Sequence, residues 1–281
     1  MRRLVLTADD LGRDAATTAE IVALAREGLI TATTVIPVAP ASAEATEQIT
    51  TAQVATRLHL TLTSEASETS ETSETSKTSE SGLPPWRPLA DVPSLVEADG
   101  SLTTDPYRLG GRGETEDVLT ELEAQLAWAR AQGLRVTAAD SHAGALYGLH
   151  GRSWLEPALR WCARHGLGFR LPRQLTPYLG GPAPEPLRSA HSAAVTLADE
   201  LGVPIPQTML TNNRTASDWG TYAAFRAGML ARVATLGEGT SELFLHPSPV
   251  SQIRSWEARL LRDPALRETI RSEGITLVAG W

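Results

Sequence analysis

The chain has 281 residues, of which 42% are hydrophobic and 21% charged, the balance of a soluble globular protein with a sizeable core. A formal charge of −8 argues against a general nucleic-acid binder. A single cysteine, Cys162, excludes an internal disulfide and an all-cysteine metal site, and no apolar run is long enough to span a membrane.

Arg2 and Arg3 open the chain, but the apolar stretch behind them ends at Asp9 and Asp10. That is too short for a secretory segment, so the chain reads as cytoplasmic. Arg3 to Ala8 reads as a buried strand. Asp14 is a fitting N-cap for a helix carrying Ile21, Leu24 and Ala25, with Gly28 as its stop. Thr33 to Val38 is strand-like up to Pro37, and Gln53 to Leu62 leads into a third strand around RLHLTL.

Residues 64–81 break the pattern. SEASETSETSETSKTSES is a near-perfect Glu-Thr-Ser repeat whose only apolar residue is Ala66, with five glutamates against Lys77. It cannot bury enough apolar surface to offset the entropy of ordering it, and reads as a mobile, acidic loop inserted into one domain that spans 1–281. Glu114 to Ala131 is the clearest helix, with Val118, Leu119, Leu122, Leu126 and Ala129 on one face and Gly133 after its end. Gly110, Gly111 and Gly113, ahead of it, read as a turn. Arg135 to Ala139, Gly168 to Leu171, Glu242 to Leu245 and Ile275 to Ala279 are strand candidates, with helical stretches near 189–201, 219–235 and 252–273.

This alternation predicts an α/β fold with a parallel sheet covered by helices. For 281 residues, a (β/α) barrel of distorted TIM type, typically about 250 residues long, fits better than a doubly wound sheet. The glycine fingerprint of a dinucleotide fold is also missing after the first strand.

Chemistry collects at the ends of these strands: Asp9 and Asp10 after LVLTA, His59 in RLHLTL, Asp140 and His142 after RVTAA, and His246 after ELFL. In a parallel (β/α) architecture those ends face one mouth. Taken singly, each has an ordinary reading: an Asp pair caps a helix or a turn, and a strand histidine packs in a core. Together, Asp10, His59 and His142 make one carboxylate and two imidazoles, which leave positions open on a divalent cation. Asp140, two residues before His142, would ligate or orient it. Asp9 is then the available base and His246 the available acid. There is no G-x-S-x-G elbow, no H-E-x-x-H and no phosphate-binding loop, and Cys162 in RWCARH reads as a buried helix cysteine.

TADDLG at 7–12, LHLTLTSE at 58–65, DSHAGALYG at 140–148 and ELFLHPS at 242–248, in this order and spacing, resemble the YdjC-like carbohydrate deacetylase family. GLITATT at 28–34, WRPL at 86–89 and the helix with Glu121 and Gln125 extend the likeness to nearly the whole chain. The resemblance implies a (β/α)-barrel-like hydrolase that removes N-acetyl groups from sugars, often as a homodimer. It implies one divalent ion, magnesium or zinc, on Asp10, His59 and His142, with Asp9 as base and His246 as acid. Asp140, Tyr147, Glu242 and Trp86 are then supporting or substrate-binding positions, the rings of Trp86 and Tyr147 suiting the apolar faces of a sugar. Arg170 and Arg173 would hold an anionic or hydroxyl-rich ligand, or form surface ion pairs. Two departures stand out: the acidic insertion follows LHLTLTSE, and Ala138 occupies the place where the family often carries a further histidine. Two other readings compete with deacetylation. One is another metal-dependent barrel enzyme, a sugar isomerase or phosphoesterase; the other is a non-catalytic carbohydrate-binding relative.

Overall fold

The computed structural model describes residues 1–52, 54–65 and 84–281. Among these residues eight strands, all paired in parallel, form the sheet: β1 (Arg2–Leu11), β2 (Ala32–Val35), β3 (Ala55–Leu60), β4 (Ala138–Ser141), β5 (Gly168–Phe169), β6 (Met209–Leu210), β7 (Gly239–Leu245) and β8 (Thr276–Leu277). Seven of them run in the order β5-β4-β3-β2-β1-β7-β6, and β8 pairs with β1 at Arg3 and Leu4, below the β1–β2 register. The sheet curls so that its outer strands approach one another. Phe169 and Arg173 donate backbone hydrogen bonds to the carbonyls of Pro204 and Pro206, and Gln174 bridges Thr208. The result is the expected barrel-like α/β architecture.

The helices are α1 (Ala15–Arg26), α2 (Ser42–Ile49), α3 (Pro106–Arg112), α4 (Thr115–Ala131), α5 (Leu155–His165), α6 (Thr176–Leu179), α7 (Glu185–Glu200), α8 (Ala216–Trp219), α9 (Tyr222–Ala234), α10 (Gln252–Arg262) and α11 (Pro264–Ser272). Asp14 caps α1 as expected, accepting from the Thr17 backbone N–H, and buries Ile21 and Leu24 behind it. β1 is buried from Leu4 onward on both faces, as a strand flanked by parallel neighbours and covered by helices must be. Inside the sheet and under the helices lies one continuous apolar cluster, from Leu4 to Ile275, that holds both Trp154 and Trp161. Cys162 is buried in α5, where burial pushes its thiol up to about 12, as expected of an inert core cysteine. No helix among the described residues is long and apolar enough to cross a membrane.

Three expectations need correction, and one element is new. The fourth strand lies at Ala138–Ser141 rather than 135–139, because Ala139 and Asp140 take the register opposite Leu58 and His59. Gly110 and Gly111 belong to helix α3, where Gly110 lies so close to the His150 carbonyl that no side chain would fit. The stretch 252–273 is two helices, since Pro264 cannot continue α10 and Asp263 caps α11 by accepting from the Ala265 N–H. β6, a two-residue strand, was not expected at all. Of the Glu-Thr-Ser repeat, only Ser64 and Glu65 fall among the described residues.

Candidate active site

The site begins with an irregularity in β1. Its register with β2 shifts between Ala8 and Leu11, and Asp10 adopts φ 77°, a left-handed conformation that aspartate tolerates better than most residues. Gly12, at φ 90°, lets the chain turn against Ser42, where a Cβ would collide. The kink sends two adjacent carboxylates to different neighbours.

Asp9 turns to Arg170. The guanidinium donates from Nη1 to Oδ2 at 2.7 Å and from Nη2 to Oδ1 at 2.9 Å, and Thr34 donates to Oδ1 at 2.9 Å. Burial alone would raise this carboxyl, but the charge of Arg170, with those of His59 and His246, holds it down at about 2. Asp10 turns to the histidines. Its Oδ2 accepts from Arg254 Nη1 at 2.7 Å, while Oδ1 lies 3.4 Å from His59 Nε2 and 3.7 Å from His142 Nδ1.

Strand register explains the rest of the cluster. His59 and Asp140 are direct partners across β3 and β4, so His59 Nδ1 meets Asp140 Oδ1 at 2.5 Å. Asp140 thus orients His59, and not His142 as its position in the sequence suggested. The carboxylate near the far nitrogen of His142 is Glu65, whose Oε1 lies 3.5 Å from His142 Nε2 while its Oε2 binds Arg13. The two imidazoles stand edge to face at 5.1 Å, and Trp86 lies 5.5 Å from His142.

This donor set fits a divalent cation. One ligand atom from each of Asp10, His59 and His142 lies within 4.8 Å of the others, and all three side chains are buried. Asp10 Oδ1 is itself buried without a hydrogen-bond partner, which is costly for an ionised oxygen unless a cation occupies the gap. A carboxylate braces each imidazole from behind, the usual support of metal-binding histidines. Asp9, His59 and Asp140 also cluster within 4.8 Å, but Arg170 already neutralises both of those carboxylates.

His246, at the end of β7, sits across the mouth with its Nε2 3.9 Å from Asp9 Oδ2. Burial lowers its pKa, but Glu257 and the nearby Asp10 and Asp9 more than reverse this and raise it above the ordinary histidine value. Glu257 comes from α10, fixes the His246 backbone N–H at 2.6 Å and lies 3.8 Å from its Nδ1.

Asp9, Asp10, His59, His142, Arg170 and His246 line one cavity of about 1090 Å³. Of the supporting positions, Tyr147 lines it too, but its hydroxyl is committed to the Arg170 carbonyl at 2.5 Å. Trp86 is 2% exposed and braces His142, so it offers no open face to a sugar. Glu242 is fully buried beneath the site, paired with Arg57 at 2.8 Å and Arg170 at 2.9 Å. Arg170 itself is no surface residue: it joins Asp9, Asp140 and Glu242 in the barrel interior, whereas Arg173 does pair at the surface with Asp199. Sequence reasoning missed Arg254, Glu257 and the role of Glu65. Arg254 and Glu257 lie three apart on α10, a spacing that puts them on one face, but nothing marked that face as the inner one.

A family model described as YdjC-like protein matches residues 3–272. Among solved structures, the chain is 23% identical to an Enterococcus faecalis protein provisionally named for cellobiose-phosphate cleavage, with a TM-score of 0.74 over 99% of this chain and 97% of that one. An uncharacterised Agrobacterium tumefaciens protein is 12% identical, with a TM-score of 0.52 over 99% and 87% of the two chains. These likenesses show the fold. No curated protein matches the chain.

Proposed function

The chain belongs to the YdjC-like family, and from that premise we propose that it is a metal-dependent hydrolase removing N-acetyl groups from an amino sugar or a short oligosaccharide or glycoconjugate. The observation that carries the reading is the unpartnered Asp10 Oδ1 at the cavity floor, grouped with a nitrogen of His59 and a nitrogen of His142. These three residues would hold the ion, and their mixed oxygen and nitrogen donors suit zinc while also accepting magnesium. Bound there, a divalent ion supplies Lewis acidity toward the amide carbonyl and toward water.

The chain's own groups do the rest. Asp9 accepts a proton from the attacking water as its oxygen bonds to the amide carbon. A carboxylate held at about 2 is by itself a feeble base toward ordinary water. Arg170 keeps Asp9 ionised and fixes its direction through two hydrogen bonds. His246, whose pKa Glu257, Asp10 and Asp9 raise above the ordinary histidine value, delivers a proton to the nitrogen as the C–N bond breaks. Acetic acid and the free amine leave, the acid then passing its proton to the amine or to solvent, and the proton gained at Asp9 equals in number the one lost from His246.

Acetate release from N-acetylglucosamine oligomers tests this. A chelator is expected to abolish turnover and added zinc or magnesium to restore it, while Asp9→Asn should lose at least about 100-fold in kcat. Chelator-insensitive release, or full activity in Asp9→Asn, would overturn the proposal.

A further inference from the structure

Arg57 lies two residues before His59 on β3, so both side chains point into the barrel, Arg57 one layer below the site. It is only 1% exposed. Its Nη1 donates to Glu242 Oε1 at 2.8 Å and its Nη2 to the Ala279 carbonyl at 3.1 Å, while its Nε is buried without a partner. A buried guanidinium so incompletely satisfied stabilises a fold less than an apolar side chain of its volume would. Its cover comes from the segment after β8. There the Val278 N–H donates to the Leu4 carbonyl, and the Trp281 ring lies over the Arg57 guanidinium at 3.7 Å, its Nε1 donating to the Pro204 carbonyl at 3.1 Å. Leu4 and Arg57 sit early in β1 and β3. Gly168, the first residue of β5, packs so closely that a Cβ there would meet Trp281 Nε1 at 2.9 Å. The segment therefore closes the end of the barrel opposite the mouth.

From that end, charges connect upward to Asp9. Glu242 accepts from Arg57, from Thr7 Oγ1 at 2.5 Å and from Arg170 on both oxygens, Nε to Oε2 at 3.1 Å and Nη2 to Oε1 at 2.9 Å. The same Nη2 donates to Asp9 Oδ1 at 2.9 Å, beside the bond from Nη1 to Asp9 Oδ2. One guanidinium is thus shared between Glu242 and Asp9, and Asp140 draws on it as well. With Arg57 gone, Glu242 would keep only Thr7 and Arg170, and its demand on Arg170 would compete with that of Asp9. No hydrogen bond or ion pair among the described residues joins Arg57 to Asp9 directly, so the hold passes through Glu242 and Arg170.

We propose that Arg57, under the Trp281 ring, is a positioning residue for Asp9: from the closed end of the barrel it holds Glu242 and so leaves Arg170 free to fix the base at the mouth. The effect on catalysis rests on the deacetylase reading, in which Asp9 is that base. The linkage of Arg57 to Asp9 rests on the contacts alone.

Two measurements on the full chain test it. Calorimetric unfolding of chelator-treated protein compares Arg57→Gln, Asp9→Asn and the double variant. Asp9→Asn removes one of the carboxylates that compete for Arg170, so Arg57→Gln should cost less in that background, with a Tm loss smaller by about 2 °C or more. Trp281→Ala, at a half-buried position, takes its place in the same cycle if Arg57→Gln does not fold. Acetate release from N-acetylglucosamine oligomers by the zinc-loaded protein is the second measurement. Trp281→Ala should lower kcat roughly tenfold while KM changes less than about twofold. Trp281→Phe, which keeps a ring over the guanidinium, should recover most of the loss. In the Asp9→Asn background Trp281→Ala should change kcat by less than about twofold, since the group it positions is no longer a base. Additive Tm losses overturn the proposal whatever the activities. So does a kcat unchanged in Trp281→Ala, an effect on KM alone, or a kcat loss of the same factor with Asp9→Asn present. Coupled Tm losses with no turnover by the unaltered protein would uphold the linkage and sink the deacetylase reading instead. Additive losses with no turnover would sink both.

Discussion

Replacing Arg170 by Gln removes one guanidinium from among three carboxylates, Asp9, Asp140 and Glu242, all within 2.5–2.9 Å of it and none more than 1% exposed. Removing one partner of a buried ion pair costs about 3–5 kcal/mol, because the charges left behind are neither hydrated nor paired. With an unfolding entropy of about 2.1 cal/mol/K per residue, 281 residues give about 0.6 kcal/mol/K, so Tm should fall by about 5–8 °C. The loss should depend on pH in a definite sense. Asp9 has a folded pKa of about 2 against an ordinary 3.8, so its contribution, of order 2 kcal/mol, is present above about pH 4 and is lost as pH falls toward 2. The gap between the parent and Arg170→Gln should therefore be widest at neutral pH and narrow in acid. Differential scanning calorimetry on chelator-treated protein measures both. Adding Asp9→Asn removes the other half of the bidentate pair, so the double variant should be less damaged than the sum of the singles by about 1–3 kcal/mol. A Tm loss under about 2 °C, or strict additivity, would refute the view that Arg170 neutralises the barrel interior.

Three further outcomes are expected. Asp140→Asn leaves His59 without its charged partner and should weaken zinc binding about 10–100-fold by calorimetric titration; unchanged affinity would remove Asp140 from any supporting role. Glu257→Gln takes away a group that holds the His246 pKa up, so the alkaline limb of the kcat/KM–pH profile for acetate release should move to lower pH; a limb that stays in place would deny His246 the acid role. Gly12→Ala puts a Cβ against Ser42 at φ 90° and should destabilise by about 1–3 kcal/mol, read as a Tm drop of roughly 2–5 °C; a drop below 1 °C would mean the turn relaxes freely.

What the sequence made legible was local. Asp14 announces the start of α1 because capping is a matter of a few neighbouring atoms, and α4 announces itself by its apolar spacing. The strand ends could be placed, and with them Asp9, Asp10, His59, His142 and His246. Partnership was harder to read. Asp140 was assigned to its sequence neighbour His142, whereas the parallel register of β3 and β4 gives it to His59, eighty-one residues away. Arg170 read equally as a ligand-binding residue or half of a surface ion pair because charge pairing leaves no periodic trace, and Trp86 looked like a sugar platform because burial of a lone ring leaves none either. Met209 and Leu210 are too few to show alternation, so β6 is visible only through its pairing with Glu242 and Leu243.

The division of labour between Asp9 and Asp10 follows from how the buried charges satisfy one another. Around the site, the buried carboxylates of Asp9, Asp10, Asp140 and Glu242 pair with the buried Arg57 and Arg170 and the half-buried Arg254. For stability alone, apolar side chains of similar volume would serve as well or better, so such a cluster points to chemistry. Asp9 has both oxygens taken, by Arg170 and Thr34, which leaves it anionic, rigid and unsuited to ligation. Asp10 uses only Oδ2 on Arg254 and turns an unmatched Oδ1 toward two imidazole nitrogens. The oxygen left without a partner is thus the one best placed to meet a cation, and the bulge in β1 is what separates it from Asp9.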